Sequence, residues 1–223
     1  MGYYSEKLSA DKLKRVYDLA SPRVVQYLRA EAEYILRKVN TGDRIIELGC
    51  GYGRVLPDFI DKAGMVIGID TSYSNIAMGN AILKECNDCH LLLMDAALTG
   101  FKTGAFDMVF CIQNGISAFK VDQKKLIHEA FRLIKPGGTA LFSSYSDKFW
   151  NHRLQWFQTQ SEAGLLGGID YAKTKDGVIV CKDGFQASTI RRDDFNRLTM
   201  GLVAEVKIEE VDESSLFYEI RKN

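Results

Sequence analysis

Residues 44–53 read RIIELGCGYG, a strand-like run that breaks directly into three glycines at alternate positions. A short apolar run that ends in glycine is typical of a buried strand followed by a tight turn. In an open parallel sheet, a glycine-rich turn after the first strand lets a ligand approach the backbone, because glycine has no side chain. We therefore expect residues 49–53 to border a small-molecule site.

The segments on either side of this turn alternate between short apolar strands and amphipathic helices. Residues 10–39 predict two helices, and a further helix is predicted around residues 55–60, directly after the turn. Later strands are predicted at residues 65–70, 90–94, 106–112 and 139–145, with helices at residues 76–83 and 126–134. This alternation predicts an α/β fold whose central strands are parallel and covered on both faces.

The C-terminal third breaks the alternation. Residues 146–170 contain two tryptophans and several glycines, and residues 178–190 predict a hairpin. A short helix near residues 192–200 leads to two final strands, 202–211 and 216–221. Because the connection between these strands is short, they are expected to form an antiparallel pair at one side of the sheet.

The chain has 223 residues, of which 46% are hydrophobic, and it carries 29 basic and 29 acidic residues. The apolar content suffices for one substantial core. Zero net charge argues against a nucleic-acid partner, whose phosphates select an excess of Lys and Arg. No window approaches the run of about 18 apolar residues that a membrane-spanning helix needs, and five scattered cysteines do not form a secreted disulfide framework. We expect a cytoplasmic protein without a signal peptide or membrane partner.

The glycine turn lacks the spacing of two common nucleotide-binding motifs. A dinucleotide fingerprint, G-x-G-x-x-G, would need a third glycine where the chain has Arg54 or, counted from Gly51, Leu56. The sequence also contains no G-x-x-x-x-G-K-[ST] motif. A nicotinamide-dependent dehydrogenase and a P-loop nucleotidase are therefore disfavoured.

Several motifs together resemble one family. Glu47 precedes the glycine turn, Asp70 closes the strand VIGID, and Asp95 lies in the sequence MDA that closes the next strand. FDMV at residues 106–109 starts the fourth strand, and LIKPGG precedes the fifth. Over residues 40–145 the chain resembles the class I S-adenosylmethionine-dependent methyltransferases. The resemblance implies a Rossmann-like, mainly parallel seven-stranded sheet with helices on both faces, an antiparallel final strand pair, N-terminal helices and an insert after strand 5.

The resemblance also implies roles for individual residues toward S-adenosylmethionine and its product S-adenosylhomocysteine. It places Glu47 near the methionine ammonium group, Asp70 on both ribose hydroxyls in a charge-assisted contact, and Asp95 with the Ala96 amide at the adenine ring. Neighbouring residues line the adenine and methionine sides. The implied cofactor-binding set is Glu47, Gly49, Cys50, Gly51, Gly53, Asp70, Thr71, Ser72, Asp95, Ala96, Ile112, Gln113 and Asn114.

Aromatic residues outside the common core are the candidates for the substrate pocket. They come from the N-terminal segment and from the insert after the fifth strand, where they would build either an apolar lid or a satellite core under a long connection. The candidates are Tyr3, Tyr4, Tyr17, Tyr145, Trp150, His152 and Trp156. No residue stands out as a general base, so the catalytic residues remain unassigned.

Other candidate constellations are weak. Cys86 and Cys89 have the spacing of half a zinc site, but no second pair exists, so two ordinary thiols are favoured and no metal is expected. The stretch CIQNGI at residues 111–116 lacks the prolines of methyltransferases that act on nucleic-acid bases. It is slightly similar to glycine-type amine methyltransferases, over a short match.

These observations predict a methyltransferase that moves a methyl group from S-adenosylmethionine to an O, N, S or C atom of a small metabolite. The alternative is a non-catalytic cofactor-binding regulatory or partner subunit with the same fold. We expect a single domain over residues 1–223, with an N-terminal helical cap (1–40), a cofactor-binding core (40–145), a substrate-side insert (146–200) and the final strand pair (201–223).

Overall fold

A seven-stranded sheet forms the centre of the molecule in a computed structural model that describes Tyr3 and residues 7–223. Its strands are β1 (Arg44–Leu48), β2 (Met65–Asp70), β3 (Cys89–Leu93), β4 (Phe106–Cys111), β5 (Ile134–Tyr145), β8 (Ala204–Val211) and β9 (Ser215–Lys222), in the spatial order β3-β2-β1-β4-β5-β9-β8. Strands β1 to β5 are parallel, whereas β9 runs antiparallel to both of its neighbours. The predicted α/β class, parallel centre and antiparallel final pair are confirmed.

Seven helices surround the sheet within the described residues. They are α1 (Asp11–Asp18), α2 (Pro22–Lys38), α3 (Tyr73–Ile82), α4 (Gly115–Ala118), α5 (Gln123–Leu133), α6 (Trp150–Glu162) and α7 (Arg192–Thr199). Local sequence explains several starts: the Ser21 side chain accepts the Val24 N–H ahead of α2, and Asp122 accepts the N–H groups of Lys124 and Lys125 ahead of α5. A two-stranded hairpin, β6 (Val178–Val180) and β7 (Gln186–Ser188), lies apart from the main sheet.

The two faces of the sheet bury alternate residues of the same strands. Ile45 and Phe110 pack on one face with α2, whereas Ile46 and Val109 pack on the other with α5 and α7. This alternation follows from the two-residue period of a strand. A third apolar cluster joins α1 and α2 to α6 and the hairpin, so the helical cap and the insert pack against each other.

Two segments differ from the sequence predictions. The predicted helix after the glycine turn is only a 3₁₀ turn, Leu56–Phe59. The segment is held by i→i−3 bonds, such as Leu56 N–H to Gly53 O. The insert contains the 13-residue helix α6, which was not predicted. Its buried face includes Arg153 and Gln160, and these polar residues hide the apolar periodicity.

Residues 134–138 also differ from prediction, because the sequence KPGG, predicted to precede the fifth strand, belongs to β5. The pairing register between β4 and β5 shifts between Phe106 and Met108, which accommodates the irregular start of the strand. Within the part of the chain that the structure describes, no helix combines the length and the apolar character needed to cross a membrane.

Candidate functional site

A cavity of about 830 Å³ lies at the carboxyl ends of the parallel strands. Ligands of open α/β sheets bind at this edge, where the strand order reverses between β1 and β4, and the volume falls within the range of small-molecule sites, about 300 to 1,000 Å³. Across the sheet edge, Asp95 follows β3, Asp70 ends β2, Glu47 lies near the end of β1, Gln113 follows β4, and Tyr145 ends β5. All five line the cavity, so the strand order arranges them in a row.

The glycine turn forms one wall of the cavity. Gly49, Gly51 and Gly53 all have left-handed φ values, 76°, 58° and 76°, which glycine adopts without strain. The N–H groups of Gly49 and Cys50 both donate to the Ile69 carbonyl, at 2.8 and 2.9 Å. The turn is therefore attached to β2 and holds its shape beside Asp70.

Close packing adds a second reason for glycine at position 49. A Cβ atom there would lie 2.1 Å from the Phe119 ring, which is far inside van der Waals contact. Phe119 follows α4 and lines the cavity together with Lys120 and Val121. Sequence reasoning missed this ring, because nothing local in the sequence connects it to a turn 70 residues away.

The Asp70 carboxylate is held in place by its neighbours. Oδ1 accepts the Ser72 N–H at 2.7 Å and the Asn75 side-chain amide at 3.3 Å, and Oδ2 accepts the Gly51 N–H at 3.0 Å. Burial raises the pKa of Asp70, and these hydrogen bonds oppose the rise. A carboxylate has about four acceptor positions, so one remains for a ligand hydroxyl, and a contact with two hydroxyls requires the Asn75 amide to move.

Glu47 is a buried carboxyl group with an unused oxygen. It is 5% exposed, and its Oε2 atom has no hydrogen-bond partner among the described residues. Burial raises its pKa to about 8; Arg54 opposes the rise, and the carboxylates of Asp70 and Glu31 add to it. An unsatisfied acceptor at a cavity edge suits a cationic donor such as an ammonium group, which would recover the cost of burial.

Glu31, on α2, is a second buried carboxyl group at the site, and sequence reasoning missed it. It is fully buried and accepts the Gln113 N–H at 2.8 Å and the Ser215 hydroxyl at 2.7 Å. Burial raises its pKa to about 7, against these hydrogen bonds. The detectable signal was an acidic residue on the apolar stripe of a predicted helix, which indicates a buried partner.

Glu31 holds the turn after β4 in an uncommon conformation. Gln113 and Asn114 have φ values of 55° and 60°, which are uncommon for residues other than glycine. The Gln113 side chain accepts the Tyr17 hydroxyl at 2.9 Å, so α1 also reaches this turn. The Tyr17 ring in turn lies 4.6 Å from the Arg54 guanidinium, a cation–π distance.

Most of the predicted cofactor-binding residues lie together in this cavity. Its lining includes Glu47, Gly49, Cys50, Gly51, Asp70, Thr71, Ser72, Asp95, Ala96, Ile112 and Gln113. Asp95 is exposed, and its carboxylate accepts the Ala97 N–H at 2.8 Å.

Two members of the predicted set are placed outside the lining. A Cβ atom on Gly53 would contact Leu83 and Leu91. The Asn114 amide donates to the Ser188 carbonyl and accepts the Ser144 hydroxyl. Both positions therefore support the wall from behind.

The aromatic candidates for the substrate pocket also divide between the cavity lining and positions outside it. Tyr17, Tyr145 and Trp156 line the cavity. Tyr3 packs on Phe185 and donates to Asp183, away from the cavity, while Tyr4 lies outside the described residues. Trp150 is partly buried in the third apolar cluster, and His152 is exposed beside Phe149.

A protein-bound metal ion requires several side chains that can bind it together. Among Tyr3 and residues 7–223, no group of three or more His, Cys, Asp or Glu side chains is arranged to hold a metal ion. Cys89 is buried and Cys86 is partly buried. The charged side chains that line the cavity are Glu47, Asp70, Asp95, Arg54 and Lys120.

Sequence comparison shows what this site is similar to. Residues 45–138 match a family model described as a methyltransferase domain. An arsenite methyltransferase of Aquipseudomonas alcaligenes is 30% identical over 120 residues, which cover 48% of this chain and 34% of the relative. A ubiquinone biosynthesis O-methyltransferase of Coxiella burnetii is 28% identical over 149 residues, 63% of this chain and 56% of the relative. The matches thus span between a third and just over half of these curated relatives.

Solved structures show the same fold over nearly the whole chain. The PH0226 protein of Pyrococcus horikoshii aligns with a TM-score of 0.68 at 15% identity, covering 99% of this chain and 96% of that one. The N-methyltransferase NodS of Bradyrhizobium japonicum, in complex with S-adenosyl-L-homocysteine, aligns with a TM-score of 0.63 at 15% identity, covering 97% and 94%. At these identities the likeness concerns the fold.

Proposed function

We propose that the chain belongs to the class I S-adenosylmethionine-dependent methyltransferase family, and that it transfers a methyl group from S-adenosylmethionine to an O, N, S or C atom of a small metabolite and releases S-adenosylhomocysteine. The bound cofactor supplies a sulfonium methyl group, whose leaving group loses its positive charge on transfer. The protein therefore contributes mainly alignment and exclusion of water.

The observation that carries this proposal is the pair of carboxyl groups on either side of the glycine turn. Asp70 has an acceptor position left at the end of β2, and Glu47 Oε2 is buried without a partner among the described residues. Asp70 would hold a ribose hydroxyl, and Glu47 would hold the ammonium group of the methionine portion. The row from Asp95 through Asp70 to Glu47 then runs from the adenine end to the methionine end, which leaves the β5 end of the cavity for the acceptor.

Helices α1 and α6 cover that end. The Trp156 indole N–H donates to the Val16 carbonyl at 3.1 Å, so the two helices are joined above the sheet edge. A cover of this kind excludes water from the transfer step, and it must open for cofactor and product to exchange.

The organisation of the whole protein is part of the proposal. We propose one domain, in which the helical cap (1–40) and the insert (146–200) supply the substrate side and residues 40–145 bind the cofactor. A cytoplasmic location is supported by the odd number of cysteines. Zero net charge supports a small-molecule substrate over a nucleic acid.

The test of cofactor binding is calorimetry with S-adenosylhomocysteine. Asp70→Ala should weaken binding by about 1.5 to 3 kcal/mol, the range for a hydrogen bond to a charged group. Asp61→Ala, at an exposed position outside the cavity lining, is the matched control and should bind like the natural protein. Unchanged affinity in Asp70→Ala would show that Asp70 does not contact the ribose.

The test of transfer is mass spectrometry of a metabolite extract incubated with the protein and S-adenosylmethionine carrying a deuterated methyl group. A labelled product that forms with the natural protein and is absent with Asp70→Ala supports methyl transfer by this protein. Binding of S-adenosylhomocysteine without any labelled product would instead support the cofactor-binding subunit.

A further inference from the structure

The β5 end of the cavity is built from four side chains, which we call the acceptor wall: Tyr145, Trp156, Phe157 and Gln160. Tyr145 ends β5, and the other three lie on one face of α6. The wall is therefore three aromatic rings and one amide. Rings of this kind pack best against flat apolar groups, in offset-stacked or edge-to-face contacts.

Gln160 supplies the amide group of the wall. It is 3% exposed, lines the cavity, and its side-chain amide makes no hydrogen bond to any residue in the described part of the chain. By contrast, the Trp156 indole N–H is already bonded to Val16. This amide faces a space where a ligand can supply its hydrogen-bond partner.

Positive charge lies behind the rings. The Arg153 guanidinium is 4.1 Å from the centre of the Tyr145 ring and 5.8 Å from that of Phe157, and it is anchored by the carbonyls of Gly177 and Ala187. Arg153 therefore already makes the cation–π interaction with these two rings. A second cation at the wall would be repelled, which disfavours an ammonium-bearing acceptor.

Glu31, a carboxyl group near the wall, already has hydrogen-bond partners, and the proposed function assigns Glu47 to the ammonium group of the cofactor. Burial raises the pKa of Tyr145, and the charge of Glu31 adds to the rise. The Glu31 carboxyl group accepts the Gln113 N–H and the Ser215 hydroxyl. No member of the acceptor wall carries a charge of its own to pair with an ionic ligand. Burial of an unpaired ion is expensive, so the wall favours a neutral molecule.

We propose that the acceptor wall binds a neutral aromatic compound with a hydroxyl group, a phenol, through ring packing and a hydrogen bond to Gln160. This assignment rests on the proposed function, because it treats the wall as the acceptor side of a methyltransferase. The amide both donates and accepts, and so it matches a hydroxyl group, which does the same.

The experiment uses four probes of similar size: 4-methylphenol, toluene, benzylamine and benzoate. Dissociation constants are measured by NMR titration at pH 7.5, with and without saturating S-adenosylhomocysteine. We expect 4-methylphenol to bind at least about ten-fold more tightly than either charged probe, because the wall cannot pair their charges. Equal or tighter binding of benzylamine or benzoate in the presence of saturating S-adenosylhomocysteine, which would occupy Glu47, overturns the proposal.

Substitution of Gln160 separates its role from that of the rings. Gln160→Leu should weaken the binding of 4-methylphenol by about ten-fold, the order of one buried hydrogen bond. It should leave the binding of toluene and of S-adenosylhomocysteine unchanged. Gln155→Leu, at an exposed position of the same helix, is the matched control and should change none of the constants. An equal loss of affinity for toluene and for 4-methylphenol in Gln160→Leu would show that Gln160 does not recognise the hydroxyl group.

A second variant covers the case in which Gln160→Leu fails to fold. Gln160→Glu places a carboxylate in the wall and should shift the preference toward benzylamine; no shift would count against the proposal. Failure to bind S-adenosylhomocysteine overturns the proposed function, whereas the comparison of 4-methylphenol with toluene, neither of which carries a charge that Glu47 could pair with, still decides whether the wall recognises a hydroxyl group.

Discussion

Glu47 and Asp70 stand one strand apart, yet their surroundings differ. Asp70 is held by two backbone N–H groups and one side-chain amide, whereas one oxygen of Glu47 is buried with no partner in the described residues. Hydrogen bonds favour the ionised form of a carboxyl group, and burial without them favours the neutral form. Glu47 is thus neutral near pH 7 without ligand, and a bound ammonium group would favour its ionised form.

The pH dependence of stability should report this state of Glu47. Its pKa is about 8 in the folded protein and near 4.3 in an unfolded chain, so between these values the folded state holds a proton that the unfolded state has lost. The free energy of unfolding therefore falls as pH rises through this window, by up to about 1.4 kcal/mol per pH unit for one group.

Urea unfolding of the natural protein and of Glu47→Gln at several pH values between 5 and 8 checks this prediction. The variant should lose the contribution of Glu47 to the slope, while Glu31 contributes to both proteins. Parallel curves would mean that the Glu47 pKa is close to its ordinary value.

At the scale of elements, the cover of the site depends on one contact between two helices that are far apart in sequence. Helix α1 has only eight residues, which is too short to be stable alone. It is held by the Trp156 bond to the Val16 carbonyl, by Leu13 packed over Gly51, and by Tyr17 bonded to Gln113. Its order therefore depends on the insert and on the glycine turn.

Amide hydrogen exchange should show this dependence. We expect exchange in residues 11–18 to slow when S-adenosylhomocysteine binds, because the ligand packs under α1, and to speed up in Trp156→Phe, which lacks the indole donor. Trp150→Phe is the matched control, since Trp150 is outside the cavity lining. Slow exchange in α1 that responds to neither change would make the cover a fixed part of the fold.

At the scale of the whole molecule, Glu31 joins three distant segments. From α2 it bonds the turn after β4 and the start of β9, partners that are 82 and 184 residues away. Two further ion pairs connect α2 to the same end of the chain, Arg23 with Asp212 and Lys38 with Glu219. The helical cap is thus attached to the final strand pair across the cavity edge.

Removal of Glu31 should therefore destabilise the entire fold. Glu31→Ala leaves the Gln113 N–H and the Ser215 hydroxyl without their buried partner and opens a cavity, at a cost of about 2 to 4 kcal/mol. Glu33→Ala, on the exposed side of the same helix, should change stability by less than about 0.5 kcal/mol. Equal unfolding midpoints in urea at pH 6 would contradict the proposed role of Glu31.

The sequence by itself determined the features that depend on near neighbours. The strand RIIEL, the left-handed glycine turn and the alternation of strands and helices follow from local apolar spacing and from glycine's backbone freedom. The α/β class, the parallel centre and the final antiparallel pair could therefore be predicted. Asp70 and Glu47 could be singled out as well, through the motifs that resemble a known family, and the parallel topology explains why the two share one edge of the sheet.

Only the tertiary structure decided which remaining side chains reach that edge. Phe119 follows α4 and Gln160 lies on α6, and nothing local distinguishes either from surface or core residues. Glu31, on α2, had only the local signal of an acidic residue on an apolar stripe. The aromatic candidates divided between the cavity and a satellite core for the same reason: Trp156 faces the cavity, whereas Trp150, six residues earlier, does not. Hydropathy patterns indicate that a residue is buried, but a buried polar group is explained only by its partner, and these partners come from distant parts of the chain.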